Sequence, residues 1–240
     1  MARAGRGVAG TPPEVVSAPD ISPVVPVAAA GLVLVRPDNT VLMVRRPATA
    51  RFAPNAWVFP GGLVETHDGL ADCAVPVEQA LDEDGLRPYR VAAVRECLEE
   101  TGLACVGARP SSEQREQARR ALHRGAPFWS TMEALVPGAV LSPLHYVSFW
   151  TTPSLSPLRY STRFFMTAAP DHQGAGEVDG EELTEARWVR PEHALAAHRD
   201  GRFLLLPPQL AQLRQYAAVA ASNHLVEWAA AGPLVVPNGG

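Results

Sequence analysis

Arg95-Glu96-Cys97-Leu98-Glu99-Glu100-Thr101-Gly102-Leu103 is the stretch on which the reading of this chain turns. Wound at ~100° per residue, it puts Glu96, Glu99 and Glu100 at i, i+3 and i+4, on one face of a helix. Val91, Val94, Cys97 and Leu98 take the opposite face and can dock on a core. Arg95 lies beside the acidic face, where it can orient a carboxylate. Pro88 suits the first turn of this helix, which runs to Glu100, and Gly102 suits its C-cap. Three carboxylates on one face repel one another, and they sit at the end of the helix dipole that disfavours them. Solvent or a bound cation offsets that cost, and hard divalent ions such as Mg²⁺ take oxygen ligands of this kind. Taken alone, the three glutamates also describe an ordinary solvated acidic face.

The flanking residues separate these two readings. Arg95, Glu96, Glu99, Glu100 and Gly102 fill five fixed positions of one known pattern. At ~6% for each residue type, five such matches arise by chance in ~10⁻⁶ of windows. Upstream stands Phe59-Pro60-Gly61-Gly62-Leu63-Val64-Glu65. Together the two segments resemble the Nudix box, with its Gly-Gly entrance and its REUXEEXGU core, where U is a bulky aliphatic residue. Cys97 departs mildly from the first U position. Asp68 stands where the box has Glu, and the 26 residues 69–94 stand where the box has seven. An interruption at this place resembles the subgroup that includes the peroxisomal coenzyme A and acyl-coenzyme A diphosphatase of animals. Trp150-Thr151-Thr152-Pro153, Arg163-Phe164-Phe165, Glu185-Ala186-Arg187-Trp188-Val189 and Leu206-Pro207-Pro208 look similar to later segments of that subgroup.

The resemblance implies an α/β fold: a Nudix-type α/β/α sandwich with a mixed sheet, plus a box insertion and a C-terminal helical extension. Residues 25–231 would form the Nudix hydrolase domain, with 69–94 as the insertion and the start of the catalytic helix. Residues 1–24 and 232–240 would be tails. The resemblance implies a metal-dependent hydrolase that cuts the diphosphate linkage of a nucleotide derivative such as coenzyme A or acyl-coenzyme A. ADP-ribose or a dinucleotide is the alternative substrate, and a nucleotide sensor without turnover is the alternative class. Glu96, Glu99, Glu100 and the backbone carbonyl of Gly61 would hold Mg²⁺ or Mn²⁺, and Arg95 would hold the glutamates in place. The general base would be Glu96 or a carboxylate from a later loop, with Glu181 and Glu182 as the nearest candidates.

Other readings come from the residues themselves. Arg45, Arg46 and Arg51 precede the Gly-Gly turn, and guanidinium geometry suits substrate phosphates. Trp57 and Phe59 are candidates for stacking on a base, though strand core is the plainer role. Seven histidines show no HxH or HExxH spacing, which speaks against a histidine metal site. A net charge of −4 gives no reason to expect nucleic acid or an anionic membrane as partner. Every basic residue besides histidine is Arg, which fits a GC-rich genome as well as it fits phosphate binding. Cys73, Cys97 and Cys105 form no CxxC and no disulfide framework, which points to a reducing cytoplasm. No apolar run reaches the ~18 residues of a membrane span, and the first 20 residues lack a secretory h-region.

Along the chain, strands are expected at 24–35, 41–44, 57–59, 145–150, 162–168 and 186–189. Helices are expected at 75–81, 88–100, 111–124, 191–199 and 208–231, the third as a polar surface helix. In the last, Leu210, Leu213 and Val219 would serve core packing or a homodimer contact.

Overall fold

The computed structural model of this chain describes residues 24–69, 85–178, 180 and 182–232. The expected tails, the expected helix at 75–81, Cys73 and Glu181 lie outside these residues, apart from Val24 and Gly232 at the edges of the tails.

The apolar run after residue 24 becomes β1 (Val27–Val35), and the Pro37–Thr40 turn returns it as β2 (Val41–Arg45). Asn39 closes that turn with φ of 62°, a conformation Asn tolerates. Two short strands follow, β3 (Trp57–Val58) and β4 (Gly61–Leu63). The Gly-Gly segment, expected as the end of a loop, is therefore itself a strand, antiparallel to β1 with Gly61 opposite Gly31. Helix α1 spans Arg87–Thr101 and ends at Gly102 in the left-handed conformation. Next come α2 (Ser112–Leu122) and α3 (Phe128–Leu135), the latter not foreseen from sequence. Strands β5 (His145–Thr151), β6 (Tyr160–Ala168) and β7 (Glu185–Val189) precede α4 (Pro191–Arg199), α5 (Pro207–Ala220) and α6 (Leu225–Ala230).

The single helix expected over 208–231 is two helices. The break at Ser222–His224 is fastened by Asn39, whose Nδ2 donates to Asn223 O at 3.0 Å and whose Oδ1 accepts from Leu225 N at 3.0 Å. A turn residue 186 positions upstream thus caps α6, a contact no local pattern carries.

The seven strands form one mixed sheet with the central order β3-β2-β1-β6-β5. β1 and β6 run parallel through nine residue pairs, and the other pairings are antiparallel. β1 is apolar along most of its length because both faces of the sheet are covered. Leu32 and Leu34 pack with α1, α2 and α3 on one side; Val33 and Val35 pack with α4, α5 and α6 on the other. This is the α/β/α sandwich expected from sequence. Val91, Val94, Cys97 and Leu98 of α1 are fully buried, and so are Ala92 and Ala93, so the helix is held on more than one side. α2 does more than cover the surface. Its N-terminus is a complete capping box between Ser111 and Gln114, and Ala118 and Leu122 pack into the core.

Candidate active site

Arg95 is the hub of the site. Its side chain is 5% exposed. Nε and Nη2 donate to the two oxygens of Asp68 at 3.0 and 3.1 Å, and Nη2 also reaches Leu63 O at 2.8 Å. Nη1 donates to Glu96 Oε1 and Glu99 Oε2, both at 3.1 Å. One guanidinium therefore ties two glutamates of α1 to the segment after the Gly-Gly strand. Asp68, which replaces the usual Glu of the box, is 2% exposed in a 3-10 turn over Thr66–Gly69. Its Oδ2 also accepts from Glu65 N at 2.8 Å, so the turn itself presents the carboxylate to Arg95. The bidentate fork makes this pair directional as well as charged.

Glu100 is fixed separately. Its Oε2 accepts from Gly61 N at 2.9 Å, across 39 positions of sequence. The 26-residue interruption leaves the two halves of the box together. Both glycines are required by close approach. A Cβ on Gly61 would lie 2.3 Å from Ala30 O, and one on Gly62 would lie 2.3 Å from Glu96 Oε1. Gly61 meets the backbone of β1, whereas Gly62 makes room for a glutamate.

The electrostatics follow from this crowding. Burial pushes the Glu96 carboxyl up from its ordinary 4.5 to about 7; Arg95 opposes the shift and Glu99 adds to it. Burial also raises Glu99, against the pull of Arg95. Glu100 is raised furthest, by burial first and then by the charge of Glu96, with the Gly61 hydrogen bond opposing. Burial acts against the charge on Arg95, but the Asp68 hydrogen bond and the surrounding carboxylates outweigh it and push its pKa up. The acidic face is thus largely enclosed rather than solvated, because the Gly-Gly strand lies over it.

The C-terminal end of α1 is braced by α2. Arg119 Nε donates to Glu99 O at 2.7 Å, and Arg115 Nε donates to Gly102 O at 3.1 Å. Cations at these carbonyls oppose the dipole that would otherwise add to the carboxylate repulsion. Sequence reading missed this role, because Arg115 and Arg119 look like any charged helix surface.

The other expected site residues divide. Glu182 is exposed, and its charge helps raise both Glu99 and Glu100. Arg46 lines a cavity of about 580 Å³ with Nε fixed by Phe52 O at 3.0 Å. Arg45 points elsewhere: it donates to Asn55 Oδ1 at 3.1 Å and lies 4.0 Å from Glu185. Arg51 is exposed in the loop before β3, and neither it nor Arg45 lines the cavity. Trp57 is core, stacked on Phe203 at 4.2 Å. Phe59 is 97% buried yet contributes to the cavity wall with Phe52, Trp150, Tyr160 and Leu206. The cavity begins at Gly61 and Gly62, so it opens from the strand that carries the glutamate contacts.

Among the described residues no three Asp, Glu, His or Cys side chains converge closely enough to enclose a metal ion as they stand. Glu96 and Glu99 point to Arg95, and Glu100 to Gly61 N–H. The donor set nonetheless fits a hard divalent cation. Glu100 is buried and Glu96 and Glu99 are partly buried beside it, all are pushed toward protonation by burial, and a cation would relieve that cost.

Comparison with known proteins bears on the fold that carries this arrangement. The NUDIX domain family matches residues 25–75, ending inside the interruption and before Arg95. A NUDIX hydrolase from Alicyclobacillus acidocaldarius, known from its crystal structure, superimposes with a TM-score of 0.65 at 26% identity, over 83% of this chain and 97% of that one. The fold is a Nudix fold. "Putative nudix hydrolase 7" of Caenorhabditis elegans is 28% identical over 193 residues, 80% of this chain and 60% of that protein. Acyl-coenzyme A diphosphatase NUDT19 of Gallus gallus is 24% identical, over 78% of this chain and 64% of that protein. The chain thus spans less than two thirds of the length of these relatives. The matched domain and the shared fold both point to the Nudix family, and the Arg95 network and the Gly-Gly strand stand within that fold. Among the described residues no helix is long and apolar enough to cross a membrane.

Proposed function

We propose that this protein hydrolyses the diphosphate linkage of a nucleotide derivative, with coenzyme A or an acyl-coenzyme A as its substrate. The observation that carries this reading is the Arg95 hub, which ties Glu96 and Glu99 to Asp68 while Gly61 N–H holds Glu100 beside them. Such an investment in buried, mutually repelling carboxylates serves a cation, and binding alone would not need the complete set. Glu96, Glu99, Glu100 and the Gly61 carbonyl would hold Mg²⁺ or Mn²⁺, which when bound would neutralise phosphate charge and activate water.

The chain's own residues do the rest. Arg95 keeps Glu96 and Glu99 on the side of α1 that faces the Gly-Gly strand. Glu182 and Glu96 are the candidates to take the proton of the attacking water, Glu182 from the exposed loop and Glu96 from within the cluster. Arg46 stands at the cavity as the cation for substrate phosphate. The apolar cavity takes the organic part of the substrate and excludes water from it. The coenzyme A preference draws on the name of the chicken relative and on the place of the interruption in the box.

The experiment is an incubation with coenzyme A, acetyl-coenzyme A, ADP-ribose and a diadenosine polyphosphate, with and without Mg²⁺, followed by chromatography and ³¹P NMR. The expected outcome is Mg²⁺-dependent conversion of coenzyme A to adenosine 3′,5′-bisphosphate and 4′-phosphopantetheine. Faster cleavage of ADP-ribose would move the assignment to that substrate, and cleavage of none would overturn it.

A further inference from the structure

Gln209 sits three residues into α5 and lines the same cavity as Arg46. It is 5% exposed, and its Oε1 is buried with no hydrogen-bond partner among the described residues. A buried amide oxygen left unpaired is costly, and such groups are few in folded proteins. Its neighbours offer no remedy: around it stand Leu206, Pro207 and Pro208, and the two prolines have no N–H to give. The same cavity is lined by rings, with Phe52 set edge-on to Tyr160 at 5.8 Å, and by Trp150. The terminal torsion of a glutamine is soft, so a small rotation presents the oxygen to the cavity.

We infer that Gln209 is a specificity-determining residue whose Oε1 accepts a hydrogen bond from an N–H donor on the organic part of the substrate. This rests on the nucleotide-derivative reading above and names what the cavity recognises. The required ligand is largely apolar or planar, fits about 580 Å³, and carries an amino or amide N–H. Two groups of a coenzyme A-like molecule meet that description: the exocyclic amino group of adenine, which can also stack between the rings, and the amides of the pantetheine arm. A site built to pair with an N–H rejects an analogue that presents an oxygen in its place, because two acceptors are then opposed.

The test measures binding by calorimetry without divalent ion, so that no turnover intervenes. The probes are ADP, IDP (in which a carbonyl replaces the adenine amino group) and 4′-phosphopantetheine. The proteins are wild type, Gln209→Met and Gln209→Glu. If the donor is the adenine amino group, wild type binds ADP roughly ten- to a hundredfold tighter than IDP. Gln209→Met then loses that preference and Gln209→Glu, which keeps an acceptor oxygen, retains it. If the donor is a pantetheine amide, ADP and IDP bind alike and Gln209→Met weakens 4′-phosphopantetheine by a similar factor. Either result supports the inference. Thermal melting of unliganded Gln209→Met should equal or exceed wild type, since the orphaned acceptor is gone, and this separates a recognition role from a structural one. Probes that bind wild type and are unaffected by Gln209→Met overturn the inference alone. Failure of all three to bind wild type overturns it together with the nucleotide reading.

Discussion

The two sides of the Gly61–Gly62 strand are built on opposite principles. On the α1 side the enclosed charges are committed: Arg95 to Asp68, Glu96 and Glu99, and Glu100 to a backbone amide. On the cavity side the lining is largely apolar and aromatic, with Arg46 tethered at Nε and Gln209 unpaired at its oxygen. A charged cluster must hold its geometry before any ligand arrives, because like charges left loose would scatter or take up protons. A recognition surface gains from leaving polar groups to be satisfied by the substrate. The contrast predicts that damage on the first side costs chemistry and stability, and damage on the second costs selectivity.

The sharpest break is at the hub. Arg95→Met should destabilise the fold by about 3–5 kcal/mol, because Asp68 would remain buried without its partner. Pairing it with Asp68→Asn should recover part of the stability and none of the activity, as read by chemical denaturation and Mg²⁺-dependent turnover. Next in size are Glu99→Gln and Glu100→Gln. Each should lower turnover by roughly a hundredfold or more, the several kcal/mol a metal ion supplies. Each should also leave melting without divalent ion unchanged or higher, since one repelling charge is removed. Gly62→Ala would place a methyl against the Glu96 carboxylate. The side chain can yield, so the fold should survive while misplacement lowers kcat by up to about a hundredfold.

On the cavity side the effects shrink and change kind. Arg46→Ala should raise KM for coenzyme A by about tenfold or more, the worth of one charge-assisted contact, while Arg51→Ala should change it little. A comparison of coenzyme A with 3′-dephospho-coenzyme A in both variants shows whether the 3′-phosphate is the group gripped. The smallest effect is a pH dependence. Burial raises Glu96 from 4.5 unfolded to about 7 folded, so its contribution to stability is full below about pH 4.5 and is lost as pH rises through about 7. Melting of the metal-free protein should fall across that window, and fall less in Glu96→Gln.

The sequence displayed the charged side far better than the apolar one. Glu96, Glu99 and Glu100 share a face by helical spacing alone, and Gly61 and Gly62 are punctuation that any reader of turns notices. Partners distant in sequence were harder to see. Asp68 looked like a weakened motif position, and only its 3-10 turn shows it aimed at Arg95. Arg115 and Arg119 read as solvated charges until α2 folds back on the end of α1. Of the three arginines ahead of the Gly-Gly strand, only Arg46 lines the cavity, because register with β7 turns Arg45 toward Glu185. Gln209 gave no signal at all: its meaning lies in what is missing around it. The merged helix over 208–231 failed for the same reason, since the cap that divides it comes from Asn39.

Under the proposed function, Glu96, Glu99 and Glu100 hold a divalent cation. Titration of Mn²⁺, followed by loss of the free-ion EPR signal, tests it most directly in wild type, Glu99→Gln and Glu100→Gln. Wild type is expected to remove the free signal at stoichiometric ion, and either variant to restore most of it. Equal binding by all three proteins would contradict it.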